Sequence, residues 1–225
     1  MSKVILIRHG QSEANADKGM YKLKADYAME LTEKGKEQSK FAAKMLIEYL
    51  EGQYYPCLFV NNIYVSPFKR ADQTMKIFCK ELKKSKQCFF NSENIIQDVR
   101  LREQEWSGNF KEYNKKEEAE RRKYSVFYYR YEGGESCTAV YDRCASFVSD
   151  LKLTLKDDNH DILIFCHGMT MRVLAMILGK HTVDEFETWD NPWNLGAYVY
   201  EFRELINEFT EHNGPTNYLK LTEKL

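Results

Sequence analysis

The chain has 225 residues, 43% hydrophobic and 30% charged, with a formal net charge of -1. That length suits one domain with a sizeable core. The near-neutral balance excludes a global basic field for nucleic acid or anionic membranes, so any anion selectivity must be local. The six cysteines, Cys57, Cys79, Cys88, Cys137, Cys144 and Cys166, form no CxxC pair. Their pattern fits reduced thiols in an intracellular compartment, not a zinc site or a disulfide framework. No segment reads as a signal peptide or a membrane span, and a cytoplasmic location is expected.

In chain order, Val4-Ile5-Leu6-Ile7 is apolar without alternation, the pattern of a parallel strand buried on both faces. It runs straight into Arg8-His9-Gly10-Gln11-Ser12. Gly10 is expected to allow a sharp turn and close approach of a ligand. Ligands of open parallel sheets sit where loops leave the carboxyl ends of strands. The plain alternative is a structural His beside a solvated Arg. Residues 13–30 read as a long polar loop, of the kind that faces substrate. A helix follows with Thr32 as N-cap, an apolar stripe of Phe41, Ala42, Met45, Leu46 and Leu50, and an end at Gly52.

Asn62 to Val65 reads as a second strand, running into Ser66-Pro67-Phe68-Lys69-Arg70. Ser66 is the expected N-cap and Pro67 the first helical residue, with Arg70 on the first turn, where backbone N–H groups already favour an anion. Ile95 to Leu101 reads as a third, more exposed strand, delivering Glu103 and Glu105 beside Trp106. A carboxyl next to an apolar ring suits a general acid, and either glutamate fits. Residues 111–123 read as a solvated charged helix. Gly133-Gly134-Glu135-Ser136 is a turn, lining a pocket or simply opening a helix. That helix carries the stripe Val140, Cys144, Phe147, Val148, Leu151 and Leu155. Asp161 to Cys166 is the clearest buried strand and ends in His167-Gly168. An apolar helix from Met169 to Leu178 closed by Gly179, a capping box at Thr182, and a strand from Gly196 to Phe202 complete the reading. The tail beyond Arg203 is unplaced.

If the three strands share one sheet, Arg8, His9, Arg70 and His167 converge on one edge. Two imidazoles ringed by guanidiniums suit a phosphoryl group and would repel a dication. With Ser66–Thr74, Leu101-Arg102-Glu103, Gly134-Glu135-Ser136 and Cys166-His167-Gly168, in this order, the chain resembles the histidine phosphatase superfamily, phosphoglycerate-mutase-like branch.

The resemblance implies a three-layer α/β/α sandwich with a mostly parallel central sheet, one domain over 1–225 with a helical lobe around 103–135. It implies His9 as the phosphorylated nucleophile. Arg8, Arg70 and His167 would hold phosphoryl oxygens, and Asn15 and Gly168 would contact substrate or phosphate. Glu103 would be the acid, with Glu105 in reserve. No metal and no coenzyme are implied, except 2,3-bisphosphoglycerate as a primer if the protein is a mutase.

The expected partner is a small phosphorylated metabolite. The acid block lacks the Glu-Arg-His-Tyr-Gly pattern of glycolytic mutases, which favours a phosphatase; a mutase is the close alternative. A non-catalytic phosphate binder and a metallohydrolase are the remaining competitors.

Overall fold

A computed structural model describes residues 2–53, 58–86, 88–90, 94–106, 115–157, 160–204 and 207–222. Eight strands among the described residues form one sheet: β1 (Ser2–Arg8), β2 (Leu58–Val65), β3 (Cys88–Phe90), β4 (Ile95–Gln97), β5 (Asp161–Cys166), β6 (Gly196–Arg203), β7 (Glu208–Asn213) and β8 (Leu219–Lys220). Its order is β3-β2-β5-β1-β6-β7, with β4 also on β2 and β8 also on β6. β1, β5 and β2 are adjacent and parallel, with Leu6 opposite Ile164 and Ile164 opposite Tyr64. β6, β7 and β8 add antiparallel pairs on the other side.

The seven helices among the described residues are α1 (Glu13–Ala16), α2 (Glu33–Gly52), α3 (Lys69–Leu82), α4 (Lys115–Tyr124), α5 (Cys137–Asp157), α6 (Gly168–Gly179) and α7 (Val183–Glu187). Successive side chains of β1 point to opposite faces. Ile5 and Ile7 join α2 and α3 in one core cluster. Val4 and Leu6 join α5 and α6 in the other. The sheet is therefore the middle of three layers. Each fully buried Ile or Leu contributes about 1.5–3 kcal/mol, which is why an unalternating apolar run is stable only between two helical layers.

Several boundaries differ from the sequence reading. Residues 13–30 hold α1 and two 3-10 turns rather than plain loop. The strand expected over 95–101 stops at Gln97, because the Asp98 side chain accepts from the Arg100 N–H and caps a 3-10 turn. Ser66 and Pro67 do not open α3: its N-cap is Phe68, and the Ser66 hydroxyl accepts from the Phe68 N–H instead. Lys180, at φ 57°, takes the left-handed position after α6. Of the helix expected over 111–123, residues 115–123 are described and lie in α4; residues 111–114, Ser107 and Gly108 lie outside the described residues. No helix among the described residues is long and apolar enough to cross a membrane.

Candidate active site

The carboxyl ends of β1, β5 and β2 lie at one edge of the sheet because the three strands are parallel and in register. His9 follows β1, and its N–H donates to the Cys166 carbonyl at the end of β5 (3.1 Å). His167 follows β5, and its ring centroid stands 5.1 Å from that of His9, edge-on. Arg70 comes from the first turn of α3. A cavity of about 490 Å³ opens over this edge, lined by Arg8, His9, Asn15, Arg70 and Glu103 among others.

The hydrogen bonds fix the tautomer of His9. Nδ1 lies 2.7 Å from the Gly10 carbonyl oxygen, which can only accept, so Nδ1 carries the proton. Nε2 lies 3.2 Å from Nε of Arg70, which can only donate, so Nε2 holds a lone pair. Burial, with Arg70 and Arg8 alongside, pushes the His9 pKa well below its usual 6.5. Burial, then Arg70 and His9, does the same to His167. Both shifts favour the neutral imidazole. Burial also lowers the Arg8 pKa, opposed by the Glu103 carboxylate.

Backbone packing holds this loop in place. A Cβ on Gly35 of α2 would lie 2.1 Å from the Gln11 carbonyl oxygen, and one on Gly10 would lie 2.6 Å from that of Gly35. Gly10 is needed for space against α2, not for a left-handed turn, since its φ is not positive. Thr74 ties the two sides: its hydroxyl accepts from the Gly10 N–H (3.0 Å) and donates to the Arg70 carbonyl (2.7 Å).

Glu103 and Glu105 separate clearly. Glu103 lines the cavity and accepts from the Met169 and Thr170 N–H groups at the start of α6 (3.4 and 3.3 Å). Glu105 is exposed and pairs with Arg102. The Gly134-Glu135 turn does not line the cavity; it anchors the segment carrying Glu103. Glu135 binds Arg102 (2.5 Å) and Arg143 (3.2 Å), and Arg143 donates to the Glu103 carbonyl (3.2 Å). A Cβ on Gly134 would meet the Trp106 and Glu105 carbonyl oxygens at 2.3 and 2.5 Å, so only glycine lets this turn lie against them.

The other expected residues fall as follows. The Asn15 side-chain oxygen accepts from the Asn194 amide (3.0 Å), which also donates to the His9 carbonyl. The Arg8 terminal nitrogen donates to the Pro192 carbonyl, and its Nε is buried without a partner. His167 is fully buried and, with Gly168, is not among the cavity-lining residues. Its Nε2 is turned to the Ser66 hydroxyl (2.8 Å), and its Nδ1 has no partner.

The sequence reading missed two residues, Asp26 and Tyr21, and left Arg121 open. Asp26 grips the fork of Arg70. Tyr21 lines the cavity, and burial with the Asp26 carboxylate nearby pushes its pKa up to about 12. Arg121, which the sequence left open between a second-anion site and a solvated face, lines the cavity and is 6% exposed, with its guanidinium over the rings of Trp106 and Tyr131. Irregular backbone gives Asp26 and Tyr21 no periodic signal. The charge density around Arg121 hid the one arginine that turns inward. Among the described residues no group of three or more His, Cys, Asp or Glu stands close enough to hold a metal ion.

The chain is similar to the phosphoglycerate mutase-like protein AT74 of Arabidopsis thaliana, 31% identical over 212 residues, covering 88% of this chain and 64% of that protein. It thus spans less than two thirds of that relative. It is 25% identical over 291 residues to the broad-range acid phosphatase DET1 of Saccharomyces cerevisiae, covering 92% of this chain and 87% of that one. A solved mycobacterial glucosyl-3-phosphoglycerate phosphatase shares the fold, with a TM-score of 0.71 at 19% identity over 96% of this chain and 99% of that one. The family model of the histidine phosphatase superfamily (branch 1) matches residues 4–213, and the chain belongs to that family.

Proposed function

We propose that the protein hydrolyses small phosphomonoesters through a phosphohistidine at His9, without metal or coenzyme. The observation that carries this is the fixed lone pair on His9 Nε2, set by the Gly10 carbonyl accepting at Nδ1 and Arg70 donating at Nε2, in a cavity shared with Glu103.

In the first step Nε2 attacks phosphorus in line, forming an N–P bond as the P–O bond to the alcohol breaks. Glu103, protonated by the bound phosphate monoanion, gives that proton to the departing oxygen. The Arg70 Nε–H, released from Nε2, passes to a phosphoryl oxygen, and Arg8 adds a second guanidinium. His167, buried behind the cavity with its ring 5.1 Å from that of His9, backs the nucleophile. In the second step Glu103 takes a proton from water, the hydroxide attacks phosphorus, and His9 leaves with its lone pair restored.

The test incubates the protein with p-nitrophenyl phosphate and EDTA, and in parallel with 3-phosphoglycerate primed by 2,3-bisphosphoglycerate. Chelator-insensitive release of phosphate, an acid-labile phosphoprotein, and loss of both in His9→Ala are expected. Efficient isomerisation with slow hydrolysis would instead make the protein a mutase. Full turnover by His9→Ala would overturn the mechanism.

A further inference from the structure

Arg70 is 4% exposed, and the partners of its terminal nitrogens come from one residue. Nη1 donates to the Asp26 carbonyl oxygen (2.7 Å) and to its Oδ1 (2.9 Å), and Nη2 donates to Oδ2 (3.3 Å). Asp26 sits in a 3-10 turn (Asp26–Ala28) within the segment between β1 and α2. That segment is pinned to α3 a second time, where the Leu31 N–H donates to the Gln73 side chain (2.8 Å).

A planar guanidinium held at both terminal nitrogens cannot rotate about its Cδ–Nε bond without breaking the paired bonds. Its remaining edge, the Nε–H, then has one direction, and that direction is His9 Nε2. Asp26 itself is not among the residues lining the cavity. The carboxylate therefore grips Arg70 at its terminal nitrogens while the Nε–H meets the nucleophile.

We propose that Asp26 is the positioning residue of Arg70: its carboxylate and carbonyl fix the guanidinium so that Nε–H bonds His9 Nε2 in the free protein and a phosphoryl oxygen during transfer. Extending the phosphohistidine reading, this leaves Arg70 the Nε–H and a single spare Nη2–H for substrate. The phosphoryl group then meets one side-on pair of donors, and the other three N–H groups stay on Asp26.

The experiment compares Asp26→Asn, Asp26→Ala and Asp26→Glu with wild type, and repeats Asp26→Ala in an Arg70→Lys background. Three readouts are taken: 15N chemical shifts of the His9 ring in the ligand-free protein, the Kd for inorganic phosphate, and kcat and KM for p-nitrophenyl phosphate. Leu23→Ala, on the exposed part of the same segment, is the control.

Asp26→Ala is expected to move the His9 Nε2 resonance, to weaken phosphate at least tenfold, and to lower kcat/KM by about 10²-fold. Asp26→Glu should recover part of each loss. In the Arg70→Lys background the further loss should shrink to a few-fold, because the fork is already gone. Unchanged His9 shifts in Asp26→Ala, or the same penalty in both backgrounds, would overturn the proposal and leave Asp26 as a loop anchor. The ring shifts need no turnover. A wild type that forms no phosphoprotein would therefore refute the phosphatase reading without deciding this one.

Discussion

The Nε–H of Arg70 donates to Nε2 of His9 across 3.2 Å, joining the first turn of α3 to the loop after β1. Together with the Gly10 carbonyl on Nδ1, this bond sets which ring nitrogen of His9 carries the proton. Its loss should be felt in chemistry more than in folding. Arg70→Lys keeps the charge and removes the planar Nε–H and the fork. A drop of about 10²–10³ in kcat/KM for p-nitrophenyl phosphate is expected, with thermal unfolding still cooperative. A change within threefold would show that charge alone suffices.

The depressed His9 pKa places the acid limb of activity. Burial, Arg70 and Arg8 keep the ring neutral below its usual 6.5. The acid limb of kcat/KM, corrected for the ionisation of the substrate, should therefore fall below pH 6.5. In Arg70→Gln, where one cationic neighbour is removed, it should move up. A limb at or above the usual histidine value in the wild type would contradict a buried neutral nucleophile.

The same shifts make a stability prediction. The unfolded chain binds protons near pH 6.5 that the folded His9 and His167 refuse. Stability linked to these groups is complete above that pH and is lost as pH falls from it toward the folded values. Each contributes up to about 1.4 kcal/mol per pH unit within that window. His181 runs the other way: burial pulls it down, but the Glu211 and Glu185 carboxylates win and raise it. Urea midpoints taken between about pH 7 and pH 5, above the carboxylate range, should fall with acid, and less steeply in His9→Gln. Parallel slopes in the two proteins would count against the buried neutral assignment.

Glu103 and Glu105 give opposite expectations. Glu103 faces the cavity, whereas Glu105 is exposed. Glu103→Gln should cost about 10²–10³ in turnover of alkyl phosphates, whose poor leaving groups need a proton, and less for aryl phosphates. Glu105→Gln should stay within twofold for both. A leaving-group-independent loss in Glu103→Gln would remove it as the acid.

Gly35 tests the packing beneath the site. A methyl there would lie 2.1 Å from the Gln11 carbonyl oxygen, a backbone atom with little room to move. Gly35→Ala should cost about 1–3 kcal/mol in urea unfolding and lower activity by displacing the loop that holds His9. Gly52, with nothing within 4 Å of an added Cβ, is the matched control.

The sequence by itself determined the layers and most of the site. Val4–Ile7 and Asp161–Cys166 are apolar at every interior position because both faces of those strands are covered. Once three such strands are parallel, Arg8, His9, Arg70 and His167 must meet at one edge. Helix caps were legible too, since Thr32 and Thr182 act through bonds a few residues away. Tertiary structure alone decided which glutamate faces the cavity, because that choice depends on the Glu135–Arg102–Arg143 network holding one short segment. It alone turned Ser66 from a helix cap into a partner of His167, turned Arg121 inward, and brought Asp26 onto Arg70 from 44 residues away. These contacts join irregular backbone to distant elements, and no local period or cap records a pairing of that kind.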